Sequence, residues 1–367
     1  MKIGILFSGL MLFTALLLSS CKEEIDLTGD AQETAVVYGL LNQADSVHYI
    51  KINRAFLSTQ NSLITAQIPD SSYFQSVEAT VKEMINGSVS RTWVLDDTIV
   101  DNKEPGVFFA PEQKLYYFKT VPGQPLVANS VTKYVLEVNI NEGEFTVKGE
   151  TDLLTGMSIQ SPTNLSSYTF ATGNVSVNGY ASTSIKVKAG TAEIADVTLK
   201  VSFEEFIGAT STVKSFDWRI ASIKAEDISS DVIVTANGNT FYTLVRDNCT
   251  NNPAITKRKL KSIQLVYTGG SAEMNKYMLI SQPSSSLAQN KPTYTNLTSS
   301  NDRKVVGIFS SRNTLTNLKN AWTQTGSLYI RAIDLNSMRE LCLGSLTGQL
   351  LFCSDNPSDM GQQFYCN

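Results

Sequence analysis

VEATVKEMI (Val77–Ile85), the pair Asn86-Gly87, and VSRTWVL (Val89–Leu95) form the stretch on which the fold turns. Two runs rich in apolar and β-branched residues flank a dipeptide that suits a two-residue hairpin, because both central positions of that turn need positive φ. The stretch reads as an antiparallel β-hairpin, and the same signal continues on both sides. Upstream, Thr34–Leu41 (TAVVYGLL) and Val47–Phe56 (VHYIKINRAF) read as strands. Alternation in the second places Val47 and Tyr49 inward, together with Ile50 or Ile52. Downstream, Lys114–Thr120 and Tyr134–Ile140 lead through Asn141-Glu142-Gly143 into Phe145-Thr146-Val147. Residues 33–152 are therefore expected to form an antiparallel, Ig-like β-sandwich.

Composition shifts to Ser, Thr, Asn and Gly over residues 153–178, where the boundary to a second β-rich domain (179–367) is placed. Within that domain Ser184–Val187, Val197–Phe203, Ser215–Ile220, Val232–Val234, Phe241–Val245, Ser327–Ile333 and Leu341–Phe352 read as strands. Ser271–Leu287 breaks the rhythm. Met274, Tyr277 and Met278 fall at helical spacing, Pro283 ends or kinks the helix, and the Met-bearing stripe reads as core packing. Thr314–Trp322 reads as a second short helix, with Leu315, Leu318 and Trp322 on one face. The expected class is all-β, mainly antiparallel, with one or two short helices.

The chain of 367 residues is 42% hydrophobic and 17% charged, enough to bury a full core, and its length suits about two domains. Thirty basic residues against 34 acidic ones leave a net charge of -4. With no Lys/Arg run, that balance argues against a phosphate-binding surface and hence against nucleic acid as a partner.

Met1-Lys2 and the apolar run Ile3–Leu18 precede Ser19-Ser20-Cys21. The run is short for a membrane-spanning helix and ends in small residues before a cysteine, so residues 1–20 read as a lipoprotein signal peptide. Cys21 then becomes the N-terminus, its sulfur carrying a diacylglyceryl thioether. Further acylation makes that anchor firm, since a single chain binds only marginally. Residues 21–32 form the lipidated tether. Within it, Lys22-Glu23-Glu24 resembles the surface-export signal of lipoproteins in Bacteroidota, which places the protein on the outer face of the outer membrane.

Without Cys21, four cysteines remain in an oxidising compartment: Cys249, Cys342, Cys353 and Cys366. Two disulfides are expected. If Thr347-Gly348 is a hairpin tip, Cys342 and Cys353 face each other; the competing pattern ties Cys366 to Cys353 or Cys249. With no CxxC and one distant histidine, no metal site is expected.

Residues able to carry catalysis are sparse. The one histidine, His48, lies in a strand, reads as a surface residue, and has no GxSxG partner for a serine hydrolase. Asp96-Asp97, Glu204-Glu205, Asp227 and Asp231 could supply the paired carboxylates of a glycosidase, but their positions at turns and strand ends favour solvated charge. No P-loop, dinucleotide fingerprint or EF-hand loop is present, and no cofactor is expected. Asp45-Ser46-Val47 and Asp97-Thr98-Ile99 resemble the O-glycosylation motif of exported Bacteroidota proteins, making Ser46 and Thr98 candidate acceptors. Phe108-Phe109 and Tyr116-Tyr117-Phe118 are candidates for a sugar or protein platform, although alternation sends at least half of such residues to the core.

Three segments together resemble an uncharacterised family of Bacteroidota outer-membrane lipoproteins encoded beside SusC-like TonB-dependent receptors. They are Ala35–Leu41 soon after Cys21; Lys133–Val138 with Glu142-Gly143 and the strand to Glu150-Thr151; and Met274–Tyr277 leading through Pro292 and Asn296 to Val305–Ser311. The resemblance covers most of the chain and carries no catalytic motif. It implies a non-enzymatic surface lipoprotein that acts as an accessory or ligand-capturing partner of a TonB-dependent nutrient transporter. The alternatives are an adhesin or fimbria-like structural protein and, third, a carbohydrate-active hydrolase.

Overall fold

In the computed structural model, residues 33–55, 62–228, 231–281 and 293–366 are described. Cys21, Lys22, Glu23, Glu24, Pro283 and Pro292 lie outside them. The first half supplies β1 (Thr34–Asn42), β2 (Val47–Ala55), α1 (Ser62–Thr65), β3 (Val77–Ile85), β4 (Ser88–Val94), β5 (Asp96–Val100), β6 (Gln113–Lys119), β7 (Thr132–Ile140) and β8 (Phe145–Thr151). β3 and β4 pair across Asn86-Gly87, whose φ values of 49° and 79° are the two positive angles the turn demands.

The second half supplies β9 (Ser158–Ser161), α2 (Val175–Asn178), β10 (Ser182–Lys188), β11 (Ile194–Ile207), β12 (Thr210–Ile223), β13 (Asp231–Asn237), α3 (Gly238–Asn248), β14 (Lys257–Gly270) and α4 (Ala272–Ser281). It ends with β15 (Leu297–Ser299), β16 (Val305–Asn320), β17 (Trp322–Thr325), β18 (Leu328–Arg331) and α5 (Leu335–Leu343). The protein is all-β and sandwich-like.

One eight-stranded sheet, in the order β12-β11-β14-β16-β1-β2-β6-β5, runs across the expected boundary at 153–178. β16 joins the halves. Its residues 305–312 pair in parallel with β1 and its residues 312–320 pair antiparallel with β14. On the β1 side the sheet shares a core with a five-stranded sheet, β15-β8-β7-β3-β4, through Val37, Ile50, Ile52, Val81, Leu136, Val147 and Phe309. On the β14 side it shares a second core with β13-β10-β9, α3 and α5, through Leu199, Phe203, Leu265, Val187, Phe241 and Leu341. Gly307 makes the junction close: its φ is 111°, and a Cβ there would lie 1.9 Å from the Val37 carbonyl oxygen.

Several local expectations give way to tertiary context. Phe241–Val245 belongs to α3 and not to a strand: the Asn237 side chain caps the helix by accepting from the Thr240 amide, and Phe241, Tyr242 and Val245 are buried at helical spacing. Thr314–Trp322 is not a helix but mostly the far half of β16. Asn313, Asn317 and Lys319 break the apolar alternation, yet Asn317 and Lys319 donate to the Pro162 and Thr163 carbonyls at 3.2 and 2.5 Å. Leu341–Phe352 is not a strand either. Asp334 caps α5 by accepting from Ser337, and Met338, Leu341 and Cys342 turn inward together.

Helix α4 forms within the expected stretch, but its buried residue is Asn275, while Met278 is exposed. Among the described residues, the second domain expected at 179–367 holds three α-helices where one or two were expected.

Because α5 and a 3-10 turn replace the supposed hairpin, Cys342 cannot face Cys353. Cys353 bonds to Cys366, and among the described residues Cys249 and Cys342 are free thiols, so one disulfide stands there where two were expected.

Candidate functional site

Alternation along β1 and β2 turns Val36, Tyr38, Lys51 and Asn53 away from the core. The antiparallel register sets Val36 opposite Asn53 and Tyr38 opposite Lys51. Residues 62–75 and 101–112 build walls over this face. Asn53 and Arg54 donate to the Ser72 and Ser71 carbonyls at 3.1 and 3.0 Å, and the Phe109 amide donates to Ala66 at 2.9 Å. Between walls and sheet lies a cleft of about 430 Å3, within the size range of small-molecule sites. Val36, Tyr38, Ala55, Leu63, Ala66, Val107 and Phe108 make its lining mainly apolar. Leu63, Val107 and Phe108 stay more than half exposed at its mouth, an apolar concentration that surfaces seldom leave without a purpose.

Among the described residues the charged lining side chains are Lys51, Arg54 and Lys103, and no carboxylate lines the cleft. Glu33 pairs with Arg54 at 2.5 Å. Lys51 donates to Gln113 Oε1 at 3.2 Å, and Lys103 donates to the Phe109 carbonyl at 2.6 Å while lying 5.5 Å from the Phe108 ring centroid. Burial first, and then the Lys103 charge, holds the Lys51 ammonium below its ordinary pKa. The Oδ1 of Asn53 is buried with no hydrogen-bond partner among the described residues. Tyr38 and the Tyr277 hydroxyl of α4 bond at 3.0 Å with their rings edge-on. Burial and then that contact push Tyr38 up to about 12. Beyond Arg54 lies a second cavity of about 730 Å3, lined by Asp70, Asp97, Glu112 and Lys114 among others.

Of the aromatic pairs singled out in the sequence, Phe108-Phe109 belongs here: Phe108 lines the cleft and Phe109 the adjoining cavity. Tyr116 and Phe118 are core, and Tyr117 packs beside Tyr49 on the outer face. Lys51 and Lys103 escape sequence reading. Their only signal is that Lys51 shares a strand face with Tyr49 and Asn53, since the walls come from segments far apart in the chain.

His48 is not a surface residue. It is 3% exposed and stacked at 4.7 Å on Phe118, with Ile50 and Ile52 inward and Tyr49 outward, one residue out of phase with the expected face. Burial lowers its pKa against a smaller opposing pull from Asp45, and its Nε2 has no hydrogen-bond partner among the described residues.

The candidate carboxylates lie on four elements, Asp96 and Asp97 on β5, Glu204 and Glu205 on β11, Asp227 in a 3-10 turn and Asp231 on β13. Asp97 pairs with Lys114 at 3.2 Å, Glu204 with Lys261 at 3.1 Å and Asp231 with Lys186 at 3.0 Å. Asp96 opposes Tyr117 on β5, and Asp227 ends a 3-10 turn. Glu205 is buried rather than solvated. Burial pushes its pKa up, but hydrogen bonds from Thr250 and the Arg258 guanidinium at 2.9 Å outweigh that and hold it below the usual range.

Ser46 is exposed before β2, and Thr98 is half-buried on the edge strand β5. Among the described residues, no cluster of three His, Cys, Asp or Glu side chains could hold a metal ion, and no helix is long and apolar enough to cross a membrane.

No family model matches the chain, and no curated protein sequence does. Among solved structures, one similarity is to the C-terminal globular domain of an oligosaccharyltransferase from Pyrococcus abyssi. The two are 11% identical with a TM-score of 0.19, over 59% of this chain and 42% of that one. The chain thus spans less than half the length of that neighbour. What the fold defines is a class, an all-β sandwich protein with an apolar, cation-bordered cleft on one sheet face.

Proposed function

We propose that this chain is a lipid-anchored surface protein of the outer membrane, non-enzymatic, that captures a small ligand for a TonB-dependent transporter in the same membrane. The observation that carries the reading is the cleft over β1 and β2 at the end where the chain enters the fold. Thr34 pairs with Ala55, and Glu33 with Arg54, both at the cleft wall. A tether of residues 21–32 reaches at most roughly 40 Å from the acylated Cys21 to this wall. Confinement to one membrane raises the effective concentration of the protein at its transporter, so weak pairwise contacts suffice.

Intact mass measurement of the membrane-extracted protein, combined with protease treatment of whole cells, tests the anchoring. An N-terminus at Cys21 carrying diacylglycerol, with cleavage from outside, is expected; an N-terminus at Met1 or complete protection contradicts it.

An adhesin-like role is the second reading. It is favoured by β12, which sits at the edge of the eight-stranded sheet with Thr210–Ser215 exposed on both faces. Such an edge can accept a further strand.

A further inference from the structure

We infer that the cleft over β1 and β2 binds an amphipathic organic anion, a medium-chain carboxylate, with its tail against Val36, Ala66, Val107 and Phe108 and its head between Lys51 and Lys103. This rests on the ligand-capturing reading and names the ligand class.

The apolar share of the lining asks for a hydrocarbon body, since burying it in the cleft removes apolar surface from water on both sides. The head is set by charge. Arg54 is already matched by Glu33. Lys51 and Lys103 each make one hydrogen bond among the described residues, to Gln113 and to Phe109, although an ammonium carries three donors. Among the described residues neither meets a carboxylate in the cleft, and their mutual repulsion is felt at Lys51. A single carboxylate placed between them relieves that repulsion and fills free donor positions.

The placement follows from the fold. Register fixes Lys51 beside Tyr38, two positions along from Val36, while Lys103 and Phe108 share the wall segment. The polar and apolar ends of the ligand are therefore aligned along the strands. A neutral sugar or a cation fits this lining poorly, because it leaves both ammonium groups uncompensated.

The test is photo-cross-linking of the natively lipidated protein in nanodiscs with a diazirine-bearing dodecanoate, adducts being mapped by mass spectrometry. Adducts are expected within residues 62–75 and 103–113, competed at least about tenfold better by dodecanoate than by dodecanol. The double variant Lys51→Met/Lys103→Met, with an unchanged melting temperature, is expected to lose about tenfold or more in adduct yield. Adducts scattered over the surface, equal competition by dodecanol, or equal yield in a folded double variant overturns the proposal. Failure here with the transporter still co-purifying removes the ligand class alone. Mapped adducts without a transporter remove the partnership and leave the site.

Discussion

His48 and Glu205 show what single buried polar groups do in this molecule. His48 sits against Phe118 with its Nε2 unpaired among the described residues, and burial lowers its pKa below the ordinary histidine value of about 6.5. Between the lowered folded pKa and the unfolded value near 6.5, the unfolded chain binds more protons. The contribution of His48 to stability is therefore complete above the unfolded pKa, falls as pH drops through it, and levels off below the folded one. A melting temperature that declines from pH 7.5 to 5.5 in the parent, and declines less in His48→Phe, is the expected result; identical pH profiles would contradict it.

Glu205 and Arg258 are a different case, each side chain 5% exposed and sharing Thr250 as a further partner. Arg258→Met strands a buried carboxylate, so chemical denaturation should show a loss of about 3–5 kcal/mol, and Glu205→Gln added to it should recover part of that. Neither role was legible in the sequence. His48 lies between two apolar-compatible strand faces that differ by one residue, and the Glu205 partner stands far along the chain.

At the scale of elements, β16 carries the architecture. Gly307→Ala adds a Cβ at φ 111° against the Val37 carbonyl and should destabilise by at least the ~1–3 kcal/mol of a strained residue, read from urea denaturation. A neutral effect would mean that the β1–β16 pairing is not this close. The Asn86-Gly87 hairpin, most other strands and helix α4 were readable because turn chemistry and local periodicity specify them. The far half of β16 was not. Leu315, Leu318 and Trp322 mimic a helical face, and the inward Asn317 and Lys319 are satisfied only by the distant Pro162–Thr163 carbonyls. Helices α3 and α5 were hidden by aromatic, β-branched or apolar runs whose caps, Asn237 and Asp334, lie just upstream. The cleft was legible only in Phe108-Phe109, because its floor and walls meet through tertiary packing.

Across the whole molecule the two cores are joined by one sheet, with Phe309 in the first core and Leu315 against the second, both on β16. Unfolding either half removes pairing from the other, so calorimetry should give a single cooperative transition; two well-separated transitions would show that the halves melt independently. The same sheet sets the cleft beside Glu33 and Thr34, and in the proposed function this is the side that a transporter in the same membrane would meet. Purification of the natively lipidated protein from outer membranes in mild detergent at physiological salt, with mass spectrometry of what stays bound, tests that partnership most directly. A TonB-dependent receptor in stoichiometric amount is the predicted result; the protein recovered alone, or as a polymer of itself, would contradict it.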